Sequence, residues 1–191
     1  MYKVLFSGFL CHVVFFASSQ KDSSGIYSNV KAFEHHKLTH ATDCKSSKHS
    51  VRLHEFWDSP FITIINDHKK YKYNKADIFG FRDCKNCVYR FFMNAKYEIV
   101  NTDDFFLYRQ IQDTWDDDIV SVSSAYVYFF SIKADSEIYP LRKRYLTRLS
   151  KDNGKFVDLV NTSFKSDDDL CLFNTKVEKF KIVLIYKKSM E

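Results

Sequence analysis

The stretch Ala76–Val100, ADIFGFRDCKNCVYRFFMNAKYEIV, decides the fold. Phe79, Phe81, Tyr89, Phe91, Tyr97 and Ile99 alternate with polar or small residues, which is the period of a half-buried strand. Asp83-Cys84-Lys85-Asn86 supplies turn chemistry between the first two runs, so the segment reads as strand, tight turn, strand, turn, strand. That is an antiparallel meander. Gly80 inside the first run marks a bulge or a close backbone approach. Arg82 and Arg90 flank the turn on its polar side, where they are either an anion clamp or partners of Asp83 and Glu98 on a solvated face.

Outward from this centre, the N-terminus has the layout of a secretory signal peptide. Lys3 gives one charge, Val4 to Phe16 is almost wholly apolar, and Ala17-Ser18-Ser19 offers small residues before Gln20. The apolar run covers roughly thirteen residues, too short for a span of about twenty. Cys11 follows Leu10, not the small residue of a lipid-attachment site. Cleavage behind Ser19 leaves Gln20–Glu191, the size of one domain, and no later segment is long and apolar enough to cross a bilayer. The composition, 45% hydrophobic and 17% aromatic, excludes a disordered chain. A net charge of +5, with both signs well mixed, gives no concentrated basic stripe and so no nucleic-acid partner. Four glycines and two prolines argue against a long series of tight hairpins.

Gln20 to Asn29 reads as a poorly ordered start of the mature chain. His36 and His40 share a face if their segment is helical, which is metal-ligand spacing, but Lys31, Lys37, Lys45 and Lys48 surround them and no metal is expected. Val51, Leu53 and then Phe56-Trp57 lead into Phe61 to Ile65, which reads as two strands with a loop at Ser59-Pro60, and Asn66-Asp67-His68 is a turn. In Lys69 to Lys75, KKYKYNK, Tyr71 and Tyr73 alternate with lysines. This pattern suits an edge strand guarded against aggregation, with both tyrosines as candidate surface contacts. Asp116-Asp117-Asp118 lacks the alternation and glycine of a calcium loop and is read as a surface loop. Tyr126 to Ile132 is the most apolar strand and is expected at the sheet's centre.

At Ala134 the period changes. Pro140 suits a first helical turn, and Leu141, Tyr145, Leu146 and Leu149 share a helical face. Phe156 to Phe164 gives a second helix. Ser166 caps a third, whose seam is Leu170, Phe173, Val177, Phe180 and Leu184. The fold class is therefore α+β: an antiparallel meander of about six to eight strands, spanning 30–133, with a helical part at 135–190 packed on it in a single domain, 20–191.

Chemistry is sparse. No phosphate loop, HExxH helix, nucleophile elbow or dinucleotide fingerprint occurs, so no catalytic, cofactor or metal residues are assigned. Cys84-Lys85-Asn86-Cys87 has redox spacing, but no helix follows to lower a thiol pKa. Export leaves Cys44, Cys84, Cys87 and Cys171, an even count in an oxidising compartment, and the expectation is a structural disulfide from Cys84 or Cys87 to Cys44.

The segments Gly80–Phe91, Tyr97–Val100, Phe105–Gln110, Tyr128–Leu141 and Ser166–Val183 resemble a family of exported bacterial proteins of uncharacterised activity. Its pattern is aromatic-Gly-aromatic, a charged turn that often holds glycine, and Tyr-Arg-Phe. Here Phe79-Gly80-Phe81 and Tyr89-Arg90-Phe91 fit, and Asn86-Cys87 replaces the turn glycine. The resemblance implies export and an α+β build. The function expected is a non-catalytic binding or envelope-associated accessory protein, with a protein or envelope component as partner. The alternative is an exported hydrolase drawing on residues such as His54 and Asp58 with a distant serine.

Overall fold

The computed structural model of the chain describes residues 23–45, 50–53, 59–103, 105–114 and 123–191. Residues 1–19, read from the sequence as a signal peptide, together with His54, Phe56, Trp57, Asp58 and Asp116 to Asp118, lie outside the described residues.

The meander forms where the alternation places it: β6 (Gly80–Arg82), β7 (Val88–Phe92) and β8 (Ala95–Asn101) pair antiparallel in sequence. They continue into β9 (Phe106–Thr114), β10 (Ser123–Ser131) and the short β11 (Tyr139–Pro140). On the other side stand β1 (Ser23–Tyr27) and β2 (Thr39–Asp43). The eight-stranded order is β11-β10-β9-β8-β7-β6-β1-β2. A second sheet joins β3 (Ser50–Arg52), β4 (Phe61–Asn66) and β5 (Lys69–Asn74), with β5 at its edge as the lysine pattern predicts. The helices are α1 (Val30–Glu34), α2 (Lys143–Leu149), α3 (Gly154–Ser163) and α4 (Lys181–Met190). The class is α+β, with most of the helix in the C-terminal part.

Cross-strand register sorts the side chains. Phe81, Tyr89, Glu98, Arg109 and Tyr128 stand opposite one another across β6 to β10 and so share one face. Near β1 and β6 that face packs on the small sheet through Ile26, Ile62, Ile64, Phe81 and Phe91. Near β9 and β10 it is covered by α2 to α4, where Leu107, Phe130, Leu146, Phe156, Val160 and Ile182 form the largest cluster. The opposite face carries α1, whose Phe33 stacks on Phe79 with ring centroids 4.6 Å apart and meets Tyr27 edge-on at 5.5 Å.

Gly80 is a close approach. It lies opposite Arg90, and a methyl group on it would run into the carbonyl oxygen of Tyr89. Glycine scarcity, in contrast, misleads about hairpins. The loops Asp67-His68 and Met93-Asn94 each join two strands through a two-residue turn, and all four residues have φ between 47° and 66°. This is the double left-handed turn that matches strand twist, formed here by non-glycine residues.

Four other expectations are corrected. Ser23 to Tyr27 is not a loose start but a strand between β6 and β2, with Ile26 and Tyr27 fully buried. The histidines occupy no common helix, because α1 ends at Glu34 and both His36 (φ 53°) and His40 (φ 51°) take the left-handed conformation. Tyr126 to Ile132 lies next to the end of the sheet, and its apolarity reflects the helices that cover it. Pro140 belongs to β11, one turn before α2.

The last seam is not one helix. Leu170 sits in a 3-10 turn (Asp168–Cys171), and Phe173–Asn174 (β12) and Lys179–Phe180 (β13) form a hairpin before α4. Groups that a continued helix would pair with each other are taken elsewhere. The Asn174 side chain accepts from the amide of Lys176 and the Leu172 carbonyl from that of Lys181, while the Asp169 carboxylate, accepting from the amides of Lys165 and Ser166, caps only the 3-10 turn. Val177 and Phe173 are each 50% exposed, whereas Ile182 and Leu170 are fully buried. Val177→Asp should therefore change unfolding free energy by about 0.5 kcal/mol or less, and Ile182→Asp should cost about 3 kcal/mol or more through a buried unpaired charge. Urea unfolding of the two variants checks this, and equal losses would restore the continuous seam.

Candidate functional site

The turn that contains the cysteines is built by Asp83. Its Oδ1 accepts from the amides of Lys85 and Cys87, both at 2.9 Å, while Asn86, at φ 63°, takes the position a glycine would fill. This holds Cys84 where it forms a disulfide with Cys44, with Cα atoms 5.4 Å apart. The bond joins residues 40 apart in sequence and ties the end of β2 to the β6–β7 turn, a closure that contributes about 2–4 kcal/mol. Cys87 and Cys171 are free thiols among the described residues. Burial, and then the carboxylates of Asp83 and Glu98, push the Cys87 thiol up, so it stays protonated and is a poor nucleophile.

The two arginines of the meander have separate fates. Arg90 is not on a polar surface: it is 5% exposed. Its Nη1 donates to the Tyr108 hydroxyl at 3.0 Å and its Nη2 to the carbonyl of Ser136 at 2.7 Å, with the Ser131 hydroxyl 3.5 Å from Nη1. The rings of Phe79, Phe92 and Tyr108 surround the guanidinium with centroids 5.7–5.9 Å away. Glu98, the partner expected for it, is held instead by Arg109 through two hydrogen bonds of 2.9 and 2.6 Å. Arg82 donates from Nε to the carbonyl of Ser23 at 2.9 Å and from Nη2 to the Ser23 hydroxyl at 3.0 Å, which fastens β1 to β6. With one guanidinium in the core and the other at the edge of β1, the pair is no clamp.

Tyr71 and Tyr73 are half-buried and already occupied. His40 stacks on Tyr71 at 3.8 Å, and its Nε2 lies 2.7 Å from the Tyr73 hydroxyl. Beside them, Lys75 is buried with its ammonium 5.8 Å from the Phe91 ring. Lys72 covers Phe61 at 3.9 Å.

The concavity lies elsewhere, on the sheet face that carries α1. A cleft of about 720 Å³ opens between α1 and the ends of β6 to β9. Val88, Ile99 and Phe106 form its floor, Phe33 and Tyr27 its inner wall, and Glu34, His36, Arg82, Asn86, Asn101 and Thr102 its rim. Asn101 helps to shape the rim by donating to the carbonyls of Asp103 and Phe105. A second hollow of about 390 Å³ adjoins it, sharing Glu34, Thr102 and Phe106 and reaching Ile132 to Asp135. Among the described residues no three His, Cys, Asp or Glu side chains gather as a metal site. An apolar floor with a polar rim fits non-covalent retention of an apolar-bodied ligand.

Of the candidate surface residues read from the sequence, Arg82 lines this cleft. His36 lines it too, for a reason unrelated to metal spacing. Val88, Ile99 and Phe106 read from the sequence as ordinary strand residues, and only α1 crossing the strand ends turns them into a floor. Comparison of the chain with protein-family models, with curated proteins and with solved structures finds no match.

The tyrosines give the fold a pH limit. Burial pushes Tyr27, Tyr97, Tyr108 and Tyr128 above the ordinary phenol value, opposed at Tyr27 by Arg82 and at Tyr108 by Arg90. A folded pKa above the unfolded one favours the neutral phenol. Its contribution to stability is whole below about pH 10 and is lost as pH climbs past that toward the folded values. Denaturant midpoints should hold up to about pH 10 and fall above it, with phenolate absorbance lagging behind that of the unfolded chain. Superimposable folded and unfolded phenolate titrations would contradict this.

Proposed function

We propose that this chain is an exported, non-catalytic binding protein, associated with the cell envelope, which holds an apolar-bodied ligand in the cleft beside α1. The observation that carries the reading is the cleft itself, with hydrocarbon and aromatic side chains below and polar groups at the mouth. The free thiol nearest the disulfide is kept protonated, which fits a structural role for the cysteines better than exchange chemistry.

Export is supported by two separate features. The N-terminal residues carry the order of parts of a signal peptide. The Cys44–Cys84 bond is of a kind that persists in oxidising compartments. Among the described residues no helix is long and apolar enough to cross a membrane.

Protein recovered from the native envelope or medium should begin at or near Gln20. Native mass spectrometry should show a non-covalent adduct on it that disappears in Ile99→Trp, a variant that fills the cleft. A mature chain that retains Met1 would overturn the export half, and an adduct indifferent to Ile99→Trp would overturn the binding half.

A further inference from the structure

The shape of the concavity narrows the ligand class, on the premise that the cleft is a binding site. The main cleft and the adjoining hollow share Glu34, Thr102 and Phe106, so together they form one trough. Its lining comes in turn from Arg82 at the end of β6, Val88 at the start of β7, Ile99 in β8, Phe106 at the start of β9 and Ile132 just after β10. A trough that crosses these neighbouring strands is about 19 Å long, at roughly 4.8 Å per strand spacing.

What lies under it disfavours a peptide. Strands β7, β8 and β9 are each paired on both sides, so their backbone groups are spent in the ladder and no sheet edge faces the trough. An extended peptide laid there would bury amide and carbonyl groups without partners, which is costly. A hydrocarbon chain has no such groups. Charge separates the two ends. Arg82 and His36 stand at the β6 end, and the field of Arg82 reaches the cleft wall, where it opposes the upward shift of Tyr27. At the far end Lys133 and Asp135 offset each other, and Glu34 stands between the two ends on the exposed rim.

We propose that the trough holds one linear acyl chain, as in a long-chain fatty acid, lying across the ends of β6 to β10 with its carboxylate at the Arg82–His36 end. Each methylene buried should tighten binding about fourfold. The affinity of a series from octanoate through dodecanoate to hexadecanoate, measured by calorimetry on the disulfide-bonded protein, should rise steeply and level off where the trough is full.

Thr102→Trp, at an exposed residue where the two hollows meet, should move that plateau to shorter chains and leave the melting temperature unchanged. His36→Asp keeps a residue type tolerant of positive φ and should weaken hexadecanoate about fivefold or more through the negative charge it places beside the carboxylate. It should leave hexadecanol unaffected. Hexadecanoate binding no tighter than octanoate, or both variants matching the wild type, would overturn the proposal. If the compact apolar probe anilinonaphthalene sulfonate binds and is expelled by Ile99→Trp while the acyl series stays flat, the acyl reading fails and the binding cleft stands. If Ile99→Trp alters the binding of no probe, both fail.

Discussion

A guanidinium buried in the middle of the sheet constrains most of what surrounds it. Taking such a charge out of water costs several kcal/mol unless its hydrogen bonds are replaced. Arg90 finds replacements on three parts of the chain distant in sequence: the Tyr108 hydroxyl on β9, the Ser131 hydroxyl at the end of β10, and the Ser136 carbonyl beyond it. Tyr108 and Ser131 also bond to each other at 2.9 Å, and the Ser131 hydroxyl is 2.7 Å from the Lys133 carbonyl. One side chain thus ties β7 to the β9–β10 pair and sets the path of the chain after β10. That path brings Ala134 against Phe33 and Phe79 and forms the far end of the trough.

The near end depends on a different set of constraints. Asp83 shapes the β6–β7 turn, the turn presents Cys84 to Cys44, and the disulfide holds β2 beside it. Arg82 then secures β1 against β6 through Ser23. Between β1 and β2 the chain runs through α1, whose Asn29 cap accepts from the amide of Ala32 at 2.9 Å. Helix α1 has only five residues and could not persist alone, so its position over the strand ends comes from Phe33 packing on Tyr27 and Phe79. The cleft therefore exists because two anchored ends hold a short helix above a continuous sheet.

The sequence was most legible where side-chain period alone decides structure. The alternation of Phe81, Tyr89 and Phe91 fixes strand type and face, and the KKYKYNK pattern places an edge strand, because both are local properties, whereas Phe79, just before β6, breaks the alternation and turns to the α1 side. Legibility failed where structure depends on a partner distant in sequence or on local hydrogen bonds that override spacing. Ser23 to Tyr27 looks polar and loose until β2 and β6 enclose it. Arg90 looks like a solvated strand arginine because its partners lie 18 to 46 residues away. The interval from Leu170 to Phe180 has helical spacing, but Asn174 takes the amide of Lys176 and the Leu172 carbonyl pairs with Lys181, which leaves a turn and a hairpin. The cleft left no trace in the sequence, since its floor residues are the same apolar strand residues that build a core.

Arg90 acts through its hydrogen bonds across the sheet and not merely as bulk. A double-mutant cycle on unfolding free energy with Arg90→Met and Tyr108→Phe tests this most directly. Both changes keep volume in the core and remove the polar ends. If the guanidinium and the hydroxyl work as one network, the coupling energy will be about 1–3 kcal/mol. Losses that add to within about 0.3 kcal/mol would mean the two side chains merely pack near each other, and the link from β7 to the far end of the trough would be gone.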